Sequence, residues 1–236
     1  MTRAGVVPVF PAEPAAVPSL WSAVTGSVDV TVFAVDERGR RVLTPELERV
    51  WSLKNQLAEQ RRACVGKHVR GRLTLVSPEA LPFLYALTGR PGRIDDFDDP
   101  ELLTPLELRL ARALRDEGPQ TAPELRRLVA SHEARATRRA LEMLQRRLVV
   151  AQAGEVEQRA GWPAAVFDLV ARRFPGRLRR LPERGRCVPE LVAILLRSAG
   201  AELSAADVAH ALGTSRAEAA AALDLLSEPG QRAGRR

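Results

Sequence analysis

The residues best suited to chemistry lie in one stretch, residues 50–72. This stretch holds both lysines of the chain, Lys54 and Lys67, whereas the other 34 basic residues are arginines. A lysine acts as a nucleophile when burial lowers the pKa of its amine, so both lysines are catalytic candidates on residue type alone. Lys54 falls on a predicted helix beside Trp51, where we expect an exposed or partner-facing charge.

Lys67 belongs to a basic window, residues 61–72, that carries five fixed positive charges and no acid. Such a window favours phosphate contact over a neutral amine, so we predict that Lys67, Arg70 and Arg72 bind phosphate. Gly66 and Gly71 would let the backbone approach a phosphate closely.

Composition supports a polyanionic partner. The 236 residues are 45% hydrophobic but only 4% aromatic, so packed cores must be built from Leu, Val and Ala, which favour helices. The net charge of +7 and the pI near 10.7 suit nucleic acid first and an anionic membrane surface second. Abundant arginine is also what a GC-rich genome would encode, so by itself it indicates little.

Cysteine, histidine and targeting patterns are consistent with a simple intracellular protein. Cys64 and Cys187 are far apart and the three histidines are scattered, so we expect no metal site, disulfide scaffold or cofactor. Prolines interrupt residues 1–18, which predicts an extended or disordered N-terminus rather than a signal peptide. No apolar segment has the length of a membrane span, so we expect no membrane contact and a cytoplasmic location.

Residues 19–100 are predicted to form an N-terminal α+β region. Alternating valines between residues 28 and 43 indicate a hairpin, and Thr44 followed by proline predicts a helix start. A strand at Leu73–Val76 and a helix opening at Ser77 follow. The acidic loop at residues 95–101 is interpreted as an exposed linker rather than a cation site.

Residues 101–181 have the order of a winged helix-turn-helix module, three helices followed by a β-hairpin. Thr104 and Thr121 each begin a capping box, and a longer third helix is predicted from about Glu133 to Arg147. A strand at residues 148–152 and a turn at Gly154 complete the hairpin.

The third helix has two distinct faces. Helical spacing turns Thr137, Leu141 and Leu144 inward. The outward side carries arginines that would contact phosphates or guanine edges in a major groove, or would form a solvated surface. These predicted DNA-binding residues are Arg135, Arg138, Arg139 and Arg146.

A second helix-turn-helix-like unit is predicted at residues 182–227, with Ser204 capping a short helix that ends at Gly213. Its last helix exposes acidic and apolar residues such as Glu218, which suits a spacer or a protein contact better than DNA. The arginine-rich residues 172–186 would either follow a phosphate backbone or form a solvated linker. Residues 228–236 form a basic tail.

Four segments carry a family pattern, namely VWSLKNQLAEQRRACVGKHVRGRLTLVSPEALPFLYAL, GPQTAPELRRLV, LQRRLVV and GWPAAVFDLV. They resemble the winged-helix family of AlkZ and YcaQ type DNA glycosylases, particularly its short AlkZ-related members. The similarity runs over about residues 47–226. It implies a mainly α fold with short β-hairpins, built of tandem winged helix-turn-helix modules, with a degenerate one in the N-terminal region. It also implies double-stranded DNA, alkylated or crosslinked, as the substrate class.

Catalysis in that family is attributed to a Q-x-Q motif, which this sequence lacks. No catalytic residue is therefore assigned, and two hypotheses remain open. One is a DNA-binding repair protein of the glycosylase-like family, either active or catalytically lapsed. The other is a non-enzymatic DNA-binding transcriptional regulator or adaptor.

Overall fold

The computed structural model describes residues 5–12, 17–158, 162–199 and 202–227. Its helices are α1 Leu20–Thr25, α2 Pro45–Glu59, α3 Leu81–Ala86, α4 Pro105–Glu117, α5 Ala122–Leu128, α6 Ala134–Arg146, α7 Val170–Arg173, α8 Pro175–Leu178, α9 Arg184–Ala199, α10 Ala205–Leu212 and α11 Arg216–Ser227. Its strands are β1 Val6–Pro8, β2 Phe33–Val35, β3 Arg41–Leu43, β4 Cys64–Val69, β5 Arg72–Val76, β6 Gln120–Thr121, β7 Val150–Val156 and β8 Ala164–Leu169. The fold is α+β, as the sequence predicts.

One antiparallel sheet organises the molecule. Its strand order is β1-β5-β4-β7-β8-β6, while β2 and β3 form a separate hairpin in the predicted place. The order is symmetric about the junction of β4 and β7, where Val65 pairs with Gln152. On each side of this junction, a hairpin is flanked by a strand that comes earlier in the chain.

The helices repeat in the same order on the two sides. β1 is followed by α1, α2 and the β4–β5 hairpin, and β6 is followed by α5, α6 and the β7–β8 hairpin. Arg61 and Leu148, one residue beyond the C-caps of α2 and α6, adopt left-handed φ values of 56° and 54°. Arg61 lies four residues before Val65, and Leu148 lies four residues before Gln152, the pairing partner of Val65. The helices cross the junction, because α2 packs on β7 and α6 packs on β4.

Local sequence signals place the helix starts. Thr44, Thr104, Thr121 and Ser204 each accept a hydrogen bond from the backbone amide three residues on, which satisfies a donor that the helix leaves free. The predicted caps are therefore confirmed. Gly213 ends α10 in the left-handed conformation, as its position predicts.

Three apolar cores hold the elements together. One lies between α4, α5, α6 and the β7–β8 hairpin, and a second lies between α1, α2 and the inner strands of the first half. The third joins the N-terminal strands to the C-terminal helices, with Val6, Val76, Leu81, Leu191 and Ala219 among its buried members. The C-terminal helices therefore pack on the first half of the sheet.

Residues 5–12 belong to the N-terminal segment that the sequence predicts to be extended or disordered. Residues 6–8 are extended, as predicted, but they form β1 on the edge of β5, and Val9 is fully buried. Residues 5–12 are thus part of the sheet and its core. Residues 1–4, 13–16 and the predicted basic tail at 228–236 lie outside the described residues.

Strand and turn positions bring further corrections. β4 occupies the basic window, where the sequence analysis placed no strand. The turn predicted at Gly154 is wrong, because Gly154 lies within β7 at an irregularity of its pairing with β8. The helix predicted from Ser77 begins only at Leu81, although the Ser77 hydroxyl does accept a hydrogen bond from the Ala80 amide.

The acidic loop at residues 95–101 is not a simple exposed linker. The Asp96 carboxylate is buried and accepts hydrogen bonds from the Tyr85 hydroxyl, the Gly92 amide and the Arg90 guanidinium. Phe97 lies in the apolar core beside it. Residues 96 and 97 therefore fix the loop to the body of the protein.

The arginine-rich stretch at residues 172–186 is also anchored rather than wholly solvated. The Arg173 guanidinium is buried and donates to the carbonyl of Ala58. Phe174 and Leu178 lie in the apolar core. Residues 173–178 thus attach to the first half of the sheet.

His68 shows how α6 is fixed on β4. Its Nδ1 lies 2.8 Å from the carbonyl oxygen of Gln145, and its Nε2 lies 3.3 Å from the Sγ of Cys64. Because a carbonyl only accepts, Nδ1 carries the proton and Nε2 accepts from the thiol. A Cβ on Gly66 would come within 2.7 Å of the His68 ring, so this glycine makes room for the ring and not for a phosphate. Burial lowers the pKa of His68 to about 4.

This burial predicts a loss of stability in mild acid. The unfolded chain binds a proton on His68 near pH 6.5, whereas the folded chain does so only near pH 4. The free energy of unfolding should therefore decrease as the pH falls from 6.5 to 4, by about 3 kcal/mol from this residue. Urea denaturation across this range should show a smaller decrease in His68→Gln, whereas the exposed His132→Gln should follow the parent. Equal pH profiles for the parent and His68→Gln would contradict the assignment.

Candidate nucleic-acid interface

The two faces of α6 are as the sequence predicts. Thr137, Leu141 and Leu144 are buried against the sheet and the neighbouring helices. The arginines predicted to face outward are exposed, namely Arg135, Arg138, Arg139 and Arg146. Helical spacing therefore presents a basic surface along this helix.

These arginines differ in their partners. Within the described part of the chain, no acidic side chain forms a salt bridge with Arg135, Arg138 or Arg139. Arg135 and Arg139 line an open groove of about 720 Å³ beside the start of α4, and Glu107 and Glu133 also line it. Uncompensated guanidinium groups on an exposed helix are free to bind phosphate oxygens.

Arg146 and Lys67 meet at a shared acid. The Glu142 carboxylate lies 2.8 Å from Arg146 Nη2 and 2.8 Å from Lys67 Nζ. The hydrogen bond from Lys67, with a smaller effect from Arg146, holds the pKa of Glu142 below its usual range, so the carboxylate stays ionised. This trio has a net charge of only plus one. The predicted phosphate contacts of Lys67 and Arg146 remain predictions, and their charge is partly balanced.

The turn between β4 and β5 lies directly beneath α6. Arg70 and Gly71 have φ values of 50° and 71°, which suit a tight two-residue hairpin turn. A Cβ on Gly71 would collide with the Arg146 guanidinium, so the turn and the end of α6 are in close contact. The Arg70 and Arg72 guanidinium groups lie 3.4 Å and 2.6 Å from the ring of His210 on α10.

The predicted site residues therefore form two adjoining groups. Lys67, Arg70 and Arg146 gather where β4 meets the end of α6, with Arg72 beside α10. Arg135, Arg138 and Arg139 lie on the first half of α6. The basic surface runs along the helix, but its charge without a salt-bridge partner in the described residues is concentrated at the N-terminal half.

Lys54 is not the exposed charge that the sequence analysis predicted. Its side chain is 1% exposed, its Nζ lies 3.0 Å from Glu155 Oε1, and it stacks 4.0 Å from the centre of the Trp51 ring. The Trp51 indole and the Asn55 amide also donate to the Glu155 carboxylate, at 2.9 Å and 2.8 Å. The reason is the crossing of α2 over β7, which brings together residues 100 positions apart in sequence.

Burial lowers the pKa of the Lys54 amine, and the Glu155 carboxylate opposes this shift. The condition for a nucleophilic lysine is thus partly met. However, the amine is covered by Trp51 and bound to Glu155, so it has no open approach for a substrate. Lys54 acts here as a structural link between the two halves of the sheet.

The buried thiol of Cys64 is not an alternative nucleophile. Burial raises the pKa of Cys64 to about 12, so its thiol is protonated and is not a nucleophile. Among the described residues, no group of three or more His, Cys, Asp or Glu side chains is placed to hold a metal ion. Across the described ranges, each helix is too short or too polar to cross a lipid bilayer.

Sequence reasoning missed three residues beside α6. Arg126 on α5, Gln152 on β7 and Phe167 on β8 line a cleft with the basic face of the helix. No local pattern singles out these residue types, because the cleft forms only when α5 and α6 lie against the sheet.

The two lysines make a matched test of this geometry. Lys54→Met leaves the Glu155 carboxylate buried without its cation, so we expect a loss of about 3 kcal/mol or more in the free energy of unfolding. Lys67→Met breaks an ion pair in which both side chains are partly exposed, so its cost should be below about 1 kcal/mol. Urea denaturation followed by circular dichroism measures both. Equal losses in the two variants would contradict the buried position of Lys54.

Comparisons with known proteins place the chain among its relatives. The family model described as AlkZ related matches residues 1–184. Among solved structures, the DNA glycosylase AlkZ of Streptomyces sahachiroi is similar, with a TM-score of 0.47 and 20% identity, over 73% of this chain and 50% of that one. This chain spans about half the length of that glycosylase. No curated protein sequence matches this chain. Because the family model covers well over half of its residues, the chain belongs to the AlkZ-related family.

Proposed function

We propose that this chain binds double-stranded DNA through tandem winged-helix units and acts in the repair of alkylated or crosslinked DNA. The single observation that carries the proposal is the exposed arginine face of α6, where Arg135, Arg138 and Arg139 have no salt-bridge partner in the described ranges. A helix with such a face suits a major groove lined by phosphates. Membership of the AlkZ-related family supports the link to repair.

The order of elements around α6 supports a winged helix. α4, β6, α5, α6, β7 and β8 follow one another, and β6 pairs with β8 at the edge of the sheet. Three helices and a hairpin in this order are the parts of a winged helix-turn-helix module, in which the third helix enters the groove. We assign that role to α6.

The repeat on the other side of the β4–β7 junction supports a second, degenerate unit. β1, α1, α2, β4 and β5 have the same order, and no helix precedes β1 within the described residues. The helix that corresponds to α6 is α2, and it presents no open basic face at Trp51, Lys54 and Asn55, because these side chains bind Glu155. This unit therefore supports the sheet while α6 binds DNA. The C-terminal unit, α9–α11, is proposed as a protein contact or spacer.

The role in repair leaves catalysis as a separate question. The sequence has no Q-x-Q motif, and the buried Lys54 amine is covered. These two observations favour the second candidate function, a non-enzymatic DNA-binding regulator or adaptor, over a glycosylase that works by the motif of its relatives.

DNA binding by α6 predicts a change in salt dependence. Arg135→Ala with Arg139→Ala removes two unpaired cations, so the slope of log affinity against log salt should become shallower by about two. A control with Arg109→Ala and Arg216→Ala, both exposed on other helices, loses the same charge and should keep nearly the parent slope. Fluorescence anisotropy with a duplex from 50 to 300 mM salt, roughly the range where phosphate contacts weaken, measures this. Identical slopes for the two double variants would show that α6 does not contact DNA.

Glycosylase activity has its own test. Alkylated duplex is incubated with the chain, and abasic sites are cleaved by heat in alkali and counted on a gel. We expect a slow reaction or none, because the sequence lacks the Q-x-Q motif to which catalysis in the family is attributed. The contradicting result is a number of abasic sites well above that formed in buffer without protein, together with loss of this activity in a Lys54→Met variant that still folds. It would assign catalysis to the buried cluster of Lys54, Trp51 and Glu155 rather than a structural role.

A further inference from the structure

The cleft beside α6 has the dimensions and chemistry of a ligand site. It has a volume of about 410 Å³ and lies between α5, α6 and the β7–β8 hairpin. Leu141 and Phe167 provide an apolar wall, and Gln152 provides an amide at the junction of the two halves. The lining also includes the cationic side chains of Arg126, Arg138 and Lys67, together with Glu142, whose carboxylate is paired with Lys67. A ligand of this cleft should have one flat apolar part and one anionic part.

The Gln152 amide is oriented by one long hydrogen bond. Its Oε1 lies 3.4 Å from the buried Nζ of Lys54, and an ammonium group only donates, so the oxygen must face the lysine. The Nε2 group is thereby left with no acceptor among the residues that the structure describes. A donor held in this way at a cleft wall is suited to a carbonyl oxygen or ring nitrogen of a base.

The cations at the cleft are not equally available. Lys67 is paired with Glu142, whereas Arg126 and Arg138 have no salt bridge within the described ranges. Arg138 lies on α6, which the proposed function places at the DNA, and Arg126 on α5 lines the same cleft, so an anion in the cleft would be a backbone phosphate.

The repeat explains why the space is open here. Trp51 and Arg138 each lie ten residues before the left-handed residue that follows their helix. In the first half the Trp51 ring occupies this position and closes the site over Lys54. In the second half the exposed Arg138 occupies the corresponding position, and the cleft stays open.

We propose that this cleft binds one unpaired nucleotide of a DNA strand. The base contacts Phe167 and accepts a hydrogen bond from Gln152 Nε2, and the phosphate is bound by Arg126 and Arg138. This inference rests on the proposed function, because it requires a duplex already held on α6. Binding the unpaired nucleotide would favour damaged or mispaired sites, where extrusion costs least.

The test compares two duplexes of equal length, one fully paired and one with a single unpaired 2-aminopurine, using the full chain. The parent should bind the second duplex more tightly, and the fluorescence of 2-aminopurine should change as it leaves the stack. Arg126→Ala and Gln152→Leu should each lower this preference about five- to tenfold, the loss expected for one hydrogen-bonded contact. Arg127→Ala is the matched control, since it removes an exposed arginine from the same turn of α5 outside the cleft and should keep the preference.

Each outcome decides between explanations. Equal affinity for the two duplexes with a steep salt dependence would overturn the cleft assignment and leave the proposed function intact. Competition by a free deoxynucleoside monophosphate at micromolar concentration, without a preference between duplexes, would assign the cleft to a free nucleotide and contradict the strand assignment. Failure to bind either duplex would overturn the proposed function and this inference with it. A preference that survives in both Arg126→Ala and Gln152→Leu would place the unpaired nucleotide elsewhere.

Discussion

The pairing of β4 with β7 is the contact on which the arrangement of the protein depends. It joins two repeats into one sheet through Val65 and Gln152, and it lets each long helix cross onto the strand of the other half. Because α2 packs on β7, Lys54 reaches Glu155, and because α6 packs on β4, Glu142 reaches Lys67. Both ion pairs are therefore consequences of the same junction.

The two pairs differ because their surroundings differ. Around Lys54 the indole of Trp51 and the amide of Asn55 exclude water and satisfy the carboxylate, which makes the cluster a rigid link. Around Glu142 the side chains are partly exposed, and arginines replace the aromatic cover. One half of the sheet thus supports the fold, and we propose that the other half presents charge to DNA.

Local patterns predicted what depends on local physics. The capping residues Thr104 and Thr121, the inward face of α6 and the exposure of Arg139 follow from helical spacing and from backbone donors that need an acceptor. The burial of Lys54 could not be predicted, because its partner lies about 100 residues away on a strand. β4 was missed for a related reason, since His68 is buried only beneath α6, and the charged residues around it indicate a surface. The cleft at Gln152 and Phe167 likewise exists only in the folded sheet.

The central claim is that α6 is the element that touches DNA, and hydrogen–deuterium exchange with and without duplex tests it most directly. The account predicts slower exchange in α5, in α6 and at the Arg70–Gly71 turn when DNA is added, with α11 unchanged. Protection confined to α9–α11, with α6 exchanging as in the free protein, would contradict it.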